Sequence, residues 1–391
     1  MTPFLTRVLG RLPIGWLQLT HSRGRFFAAL AGVSFANLLV FLQLGILGAL
    51  NASTVAPYDF FEADIIISAQ DAHTLADGSN VARVRMFQAL GDPDVAEATP
   101  LYIGNMSLQL ANGDTATLQT FGVNVEDAQF VTASVASQLD LLREENAALI
   151  DTATRGISPE VFEQLAGGTS FSFEVNGRTL NAVGTIQAGG GFTADGTMFV
   201  SDQTFLRFFG SRSSGAPNHI LIHVVEGADV TTVVMRLQAL LPEDAVKVQT
   251  LAAAAAADLA YQTTERPTGV IFGFGVVIGV IVGIVIVYQV LSTDVANHLR
   301  EYATFKAMGY GPRFFLGIVF EESTILAVCG FIPGLVVSLG LYLGMSAATG
   351  LPVEMNAERI ILVFVGTLFA CSVSGAIATR RLTSADPADL F

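Results

Sequence analysis

Apolar and polar positions alternate along this chain on two scales. On the longer scale, residues 26–58, 267–293, 323–353 and 360–379 contain no Asp, Glu, Lys or Arg. Each run is at least as long as the ~20 apolar residues a helix needs to cross ~30 Å of hydrocarbon. The pattern predicts transmembrane helices over 26–50, 267–293, 314–346 and 360–379. On the shorter scale, residues 51–266 alternate with the periods of strands and amphipathic helices. The expected fold is therefore a membrane protein of four transmembrane α-helices. A large α+β extracytoplasmic domain is inserted between the first and second of them.

Within that insert the signals repeat. Ala63-Asp-Ile-Ile-Ile-Ser reads as a strand, Asn80 to Leu90 as an amphipathic helix, and Val95 onward as a second strand. The same order returns as Ile220 to Val225, Asp229 to Leu241 and Ala245 to Val248. Two βαβ units bracketing a middle segment predict a split, ferredoxin-like subdomain. The middle segment, about residues 101–215, carries Asn112-Gly113 and Asn176-Gly177 between alternating apolar residues, which predicts hairpins in a strand-rich insert. Phe171, Phe173 and Val175 are expected on one strand face. After the insert comes Leu251-Ala-Ala-Ala-Ala-Ala-Ala-Asp-Leu-Ala, a helix by propensity. Run on from Thr250 to Thr293 it would form a stalk ~65 Å long at ~1.5 Å per residue. Pro267 is the one residue expected to kink or split it.

Charge then fixes orientation. Residues 1–25 hold four Arg and no acid, whereas residues 51–266 hold 26 acids against 10 bases. Arg300, Lys306 and Arg313 lie in 294–313, and Arg380 and Arg381 open the tail. By the positive-inside rule, the segments 1–25, 294–313 and 380–391 are cytoplasmic. Residues 51–266 and the loop 347–359 lie outside. The overall net charge of −14 thus describes an acidic outer domain, and nothing suggests nucleic acid as a partner. The apolar stretch Phe26–Leu50 exceeds the ~7–15 residues of a signal h-region and reads as a retained helix. The two cysteines, Cys329 and Cys371, fall inside apolar runs and read as small helix residues. The outer domain must hold together by its own core.

Catalytic motifs are missing. A P-loop needs a lysine after glycine, and the two lysines, Lys247 and Lys306, follow Val246 and Phe305. There is no G-x-S-x-G and no H-E-x-x-H. His219 and His223 have i,i+4 spacing, which converges on a metal only on a helix, and theirs reads as a strand. No metal site is expected. Gly189-Gly190-Gly191 reads as a flexible loop, and Glu97, Glu126 and Asp127 as a solvated acidic surface. In the membrane runs, Gly275, Gly279 and Gly283 form a small-residue ridge. It suits close helix packing, either with a second copy or within the subunit. Gly330, Gly334 and Ser338, and Gly366, Ala370 and Ser374, do likewise. Asn37 and Gln43 are expected to face protein.

Arg300-Glu-Tyr-Ala-Thr-Phe-Lys-Ala-Met-Gly309, followed by Glu322, Gly330 and Gly334, resembles the intracellular segment of FtsX/MacB-type (type VII) ABC transporter permeases. The tail from Arg381 to Asp-Pro resembles the end of the same family. Ile14-Gly-Trp-Leu-Gln-Leu-Thr, Ala28-Ala-Leu-Ala-Gly-Val-Ser-Phe-Ala, Tyr288-Gln-Val-Leu-Ser-Thr-Asp-Val and Gly330-Phe-Ile-Pro-Gly are similar to DevC-type permeases. The resemblance spans both ends and all four helices. It implies a homodimer among membrane lipids of the bacterial inner membrane, with both termini cytoplasmic. It also implies a separate ABC ATPase subunit, a periplasmic membrane-fusion adaptor and a TolC-like outer-membrane duct. Unlike MacB, this chain carries no fused ATPase. No cofactor is expected on it, and ATP with Mg belongs to the partner. An exporter of an amphiphile such as a glycolipid is the leading expectation. A lipoprotein-release permease and an FtsX-like mechanotransducer activating a cell-wall hydrolase are the alternatives. Arg300, Glu301, Ala303, Phe305, Lys306, Ala307, Met308 and Gly309 would form an amphipathic element seated on the ATPase. Phe305, with Ala303, Ala307 and Met308, would supply its apolar surface.

Overall fold

The computed structural model describes residues 13–110, 113–175, 177–297, 304–305 and 308–384. It opens with a short helix α1 (Ile14–His21) and the long helix α2 (Arg23–Val55). Then come β1 (Ile65–Ala69), α3 (Val84–Ala89), β2 (Val95–Gln109), β3 (Thr115–Val123), α4 (Ala133–Ala136) and β4 (Ala147–Asp151). Next are α5 (Pro159–Ala166), β5 (Phe171–Val175), β6 (Arg178–Ile186), β7 (Gly196–Ser201) and α6 (Asp202–Phe208). They are followed by β8 (His219–Val224), α7 (Val230–Leu240), β9 (Val246–Thr250) and α8 (Leu251–Thr264). Three long helices end the chain: α9 (Pro267–Asn297), α10 (Pro312–Thr349) and α11 (Ala357–Ser384). The chain divides into two compact units, one of residues 49–270 with 345–352 and one of the remainder.

In the helical unit α2, α9, α10 and α11 are long and apolar enough to cross a membrane. Each runs beyond at least one end of its charge-free stretch, α2 starting at Arg23 and α9 ending at Asn297. Charge marks what hydrocarbon tolerates, whereas backbone hydrogen bonding carries a helix on into the interface. Leu19, Val33, Val287, Leu291, Ile318 and Leu326 form the core of this unit. Polar side chains pair across helices, as they must without water. Ser34 Oγ donates to the Gly330 carbonyl at 2.9 Å, and Thr367 Oγ1 to Asn37 Oδ1 at 2.5 Å. The Tyr342 hydroxyl donates to the Phe41 carbonyl. A Cβ on Gly330 would lie 2.7 Å from Val33, and one on Gly334 would lie 2.9 Å from the Ser34 carbonyl. These glycines are what let α10 approach α2 closely.

The other unit is a mixed sheet of two parts. β9-β1-β8-β2 are neighbours in that order and antiparallel throughout. With α3 after β1 and α7 after β8, this is the strand order of a split βαβ pair. Ile65, Ile67, Met86, Ala89, Ile222, Val233 and Leu237 fill the layer between strands and helices. β2 is 15 residues long and serves both parts. Its first half pairs β8, and from Tyr102 it pairs β3. Pairings then run β3–β7–β4–β6–β5 and return to β2 through Gln109 and Glu174, which closes a six-stranded ring. Phe173, Val175, Leu180, Met198 and Phe205 pack inside this part, with Phe171 half-buried at its edge. At the β5–β6 hairpin Val175 pairs with Arg178, and Gly177 has φ +73°, as a two-residue turn there requires. Asn112 and Asn176 lie outside the described residues.

The expectation of one helix from Thr250 to Thr293 is corrected by the structure. α8 ends at Thr264, where the Glu265 and Arg266 amides both turn back to the Tyr261 carbonyl at 3.0 Å. Pro267 has no N–H to continue the ladder, and it starts α9 instead.

Candidate functional site

Of the motif from Arg300 to Gly309, Thr304, Phe305, Met308 and Gly309 are described, whereas Arg300, Glu301, Ala303, Lys306 and Ala307 lie outside the described residues. Thr304 and Phe305 are helical, and the Met308 amide donates to the Thr304 carbonyl at 3.1 Å. Gly309 takes φ +92°, the left-handed conformation that ends a helix at low cost only for glycine. Phe305 does not stand free. Its ring contacts Tyr310 at 5.8 Å and Phe314 at 5.7 Å, and it packs on the core of the helical unit. Met308 and Tyr310, 60% and 45% exposed, present the apolar surface here. The sequence pattern had given Phe305 that place; an aromatic cluster formed by the following turn covers it.

The ridge of α9 packs within the chain. A Cβ on Gly275 would meet the Gln43 amide at 2.7 Å, one on Gly279 Val40 at 3.6 Å, and one on Gly283 Ala36 at 3.3 Å. All three neighbours are on α2. Gly366 and Ala370 of α11, with Asn37 and Gly283, line an apolar cavity of about 280 Å³. The Ser374 hydroxyl donates to the Ile284 carbonyl at 3.2 Å. At the start of the unit α1 lies on α10, with the Trp16 amide donating to Glu321 Oε1 at 3.3 Å.

A constellation that the sequence did not disclose surrounds α8. Thr250 caps this helix, its hydroxyl accepting from the Ala253 amide, and Ala254 and Asp258 lie one turn apart on the buried face. Asp258 is 3% exposed. Its Oδ2 accepts from the Tyr58 hydroxyl at 3.0 Å and from the Leu75 amide at 2.9 Å. Burial pushes this carboxyl above its usual range, while the Leu75 amide, Tyr58 and the nearby Gln262 side chain oppose the shift. The same burial, with Asp258 beside it, pushes the Tyr58 hydroxyl up. Farther along, Arg266 pairs with Asp77 at 3.0 Å, and His73 stacks on Tyr261 with ring centroids 4.6 Å apart. Residues 73–77, a loop after β1, thus hold α8 along its length. The only sequence signal was one acid interrupting an alanine run.

The remaining candidates resolve into structural roles. His219 is buried, with Nδ1 2.8 Å from Ser68 Oγ and Nε2 2.8 Å from the Leu75 carbonyl. His223 contacts Asp64 at 3.3 Å. Among the described residues no group of His, Cys, Asp or Glu is arranged to hold a metal. The loop of Gly189-Gly190-Gly191 is tied down rather than loose. Arg155 donates to the Gly191 and Ala194 carbonyls at 2.7 Å, and buried Asp151 accepts from the Ala188 amide at 3.0 Å. Glu126 pairs with Arg143, Asp127 accepts from Thr99, and Glu97 accepts from Gln129.

Residues 273–387 match the family described as FtsX-like permease C-terminal. No curated protein matches the chain. Among solved structures, the periplasmic region of MacB from Actinobacillus actinomycetemcomitans is similar at 12% identity and a TM-score of 0.34, covering 50% of this chain and 92% of that one. The extracellular domain of the noncanonic ABC-type transporter YknZ from Gram-positive bacteria is similar at 12% identity and a TM-score of 0.31. It covers 48% of this chain and 98% of that one. Both likenesses are distant.

Proposed function

From the match of residues 273–387 to the FtsX-like permease C-terminal family, we propose that this chain is an FtsX/MacB-type ABC permease, the homodimeric membrane subunit of an ATP-driven tripartite exporter. Its ATPase is a separate polypeptide, and ATP and Mg are handled there. The acidic domain of residues 51–266 faces the periplasm, where it meets a membrane-fusion adaptor joined to a TolC-like duct. The amphiphile exported is of glycolipid type. Both termini and residues 294–313 face the cytoplasm of a bacterial inner membrane. The observation that carries this reading is the coincidence of three features in one segment. The family match, residues 273–387, spans the segment between α9 and α10, which carries the motif Arg300 to Gly309 and the exposed apolar pair Met308 and Tyr310.

The test is an ATPase contact at that turn. A charge forced into an apolar interface without a partner is strongly unfavourable. The Met308→Asp chain is expected to insert normally but to lose co-purification with the proposed ABC ATPase partner, and with it transport. Phe305→Asp is the poorer probe, because Phe305 is packed on Tyr310 and Phe314. Undiminished ATPase association by the Met308→Asp chain would place the contact elsewhere. A hydrolase gene in place of the adaptor gene would favour the mechanotransducer reading.

A further inference from the structure

At the end of the helical unit where α1 meets α2, a cavity of about 210 Å³ opens between these helices and α9. Its shape follows from side-chain size. Ala28 and Ala29 leave room on α2. One turn further the two helices touch, since a Cβ on Gly32 would lie 2.9 Å from Ile286. From α9 the cavity receives Gln289, Thr293 and Asn297, a stripe at successive i, i+4 positions. Arg25 is the one charged residue of the lining. It is exposed and has no acidic partner among the described residues. Residues 1–58 and 267–293, which supply nearly the whole lining, contain no Asp or Glu.

Depth in the membrane sharpens the chemistry. Gln289 lies one turn inside the end of its charge-free run at Thr293. Its exposed amide makes no side-chain hydrogen bond among the described residues, and hydrocarbon offers it none. The Thr293 hydroxyl is spent on the Gln289 carbonyl at 2.8 Å, which leaves Arg25, Gln289, Asn297 and Ser22 as donors. Leu19, Phe26 and Val290 complete the wall with apolar surface. We propose that this cavity binds an anionic glycerophospholipid, its phosphate facing Arg25 and one acyl chain lying on Phe26 and Val290. Arginine and phosphate make charge-assisted hydrogen bonds, and basic pockets between membrane helices suit anionic headgroups. A zwitterionic headgroup brings an ammonium for which the cavity has no carboxylate. A free phosphate gains nothing from the apolar wall. The site rests on the helical unit alone and does not depend on which face is cytoplasmic, so it stands or fails separately from the exporter reading.

The chain's single tryptophan supplies the readout. Trp16 packs edge-on against Phe26 with ring centroids 6.1 Å apart, so bromine on an acyl chain beside Phe26 quenches its fluorescence. The full chain is placed in phosphatidylcholine nanodiscs with a small fraction of dibrominated lipid, either phosphatidylglycerol or phosphatidylcholine. Half-quenching is expected at an about fivefold lower mole fraction of brominated phosphatidylglycerol, the factor one basic residue confers at an anionic surface. Arg25→Gln is expected to bring the two lipids to the same mole fraction. Arg23→Gln removes the same charge from an exposed arginine that does not line the cavity, and it is expected to keep most of the preference. Gln289→Leu is expected to weaken phosphatidylglycerol alone. Unbrominated phosphatidylglycerol should reverse the quenching, and glycerol phosphate should not. Equal quenching by the two lipids in the unmodified chain would overturn the proposal. Equal losses in the Arg23→Gln and Arg25→Gln chains would overturn it too, by assigning the preference to the summed charge of the segment. Full reversal by glycerol phosphate would make the ligand a free phosphate and remove the lipid.

Discussion

His219 shows how one residue can set a pH limit on the outer unit. Its Nε2 faces a carbonyl, the Leu75 oxygen, so Nε2 carries the proton and Nδ1 accepts from the Ser68 hydroxyl. Burial lowers its pKa to about 4. An unfolded histidine titrates near ~6.5. Between those values the unfolded chain holds a proton that the folded chain lacks, so stability falls as pH drops. The slope approaches about 1.4 kcal/mol per pH unit at most, and the loss is complete below pH 4. Thermal unfolding followed from pH 7.5 to 5 is expected to show the midpoint falling steadily below pH 6.5. The His219→Gln chain is expected to be less stable at pH 7, by roughly 1–3 kcal/mol for the disturbed hydrogen bonds, and to have a flatter profile. A parallel profile in the two proteins would assign the pH response to other groups. In the sequence His219 was visible only as one of two histidines at a spacing useless on a strand. Its partners Ser68 and Leu75 are 151 and 144 residues away, beyond any local signal.

Glycines of the helices differ in what they face, and the difference predicts graded effects. At Gly269, in the first turn of α9, a Cβ would fall 2.0 Å from the Gln262 carbonyl and 2.7 Å from the Thr263 backbone. Backbone cannot swing aside, so Gly269→Ala must shift the junction of α8 and α9. A loss of about 1–3 kcal/mol, typical of overpacking, is expected. At Gly275 the nearest atoms are the amide end of Gln43, which can rotate away, so Gly275→Ala should be close to neutral. At Gly279 the gap to Val40 is 3.6 Å. Alanine fits there, whereas Gly279→Leu must drive α2 and α9 apart. Thermal stability in one detergent should rank Gly275→Ala and Gly279→Ala near the parent, and Gly269→Ala and Gly279→Leu well below it. Tolerance of Gly269→Ala would mean that the junction is pliable. Elements of this kind were unevenly legible. Charge-free runs gave the long helices because hydrocarbon leaves no alternative, and the order of strands and helices gave the split βαβ pair. The six-stranded ring was hidden, because its closure depends on β2 serving two sheets and on β3 pairing with β7 some 80 residues later. The break at Glu265 and Arg266 was signalled by Pro267. Alanine propensity argued for continuity, but a missing N–H outweighs a few tenths of a kcal/mol per residue.

At the scale of the whole molecule, charge is unevenly distributed. Residues 51–266 hold 26 acids against 10 bases, whereas residues 1–25 hold four Arg and no acid, the asymmetry on which the proposed orientation rests. What the sequence lacks is the P-loop pattern that cradles nucleotide phosphates. The β and γ phosphates of ATP need a lysine raised from a glycine-rich loop at a helix start. Lys247 is on β9, half-buried, with its ammonium donating to the Ala72 carbonyl. Lys306 follows Phe305, with no glycine-rich loop before it. The glycine run at 189–191 precedes Phe192 and a strand, not a lysine and a helix. Purified alone, the chain is therefore expected to turn over ATP at no more than the background of the preparation. Addition of the proposed ABC ATPase partner should bring hydrolysis, and the Met308→Asp chain should fail to stimulate that hydrolysis while remaining folded. A Lys247→Ala chain serves as the internal control, since any activity using that lysine would vanish with it. Robust hydrolysis by the isolated chain, persisting through successive purification steps, would mean that nucleotide is handled by a route this sequence does not reveal.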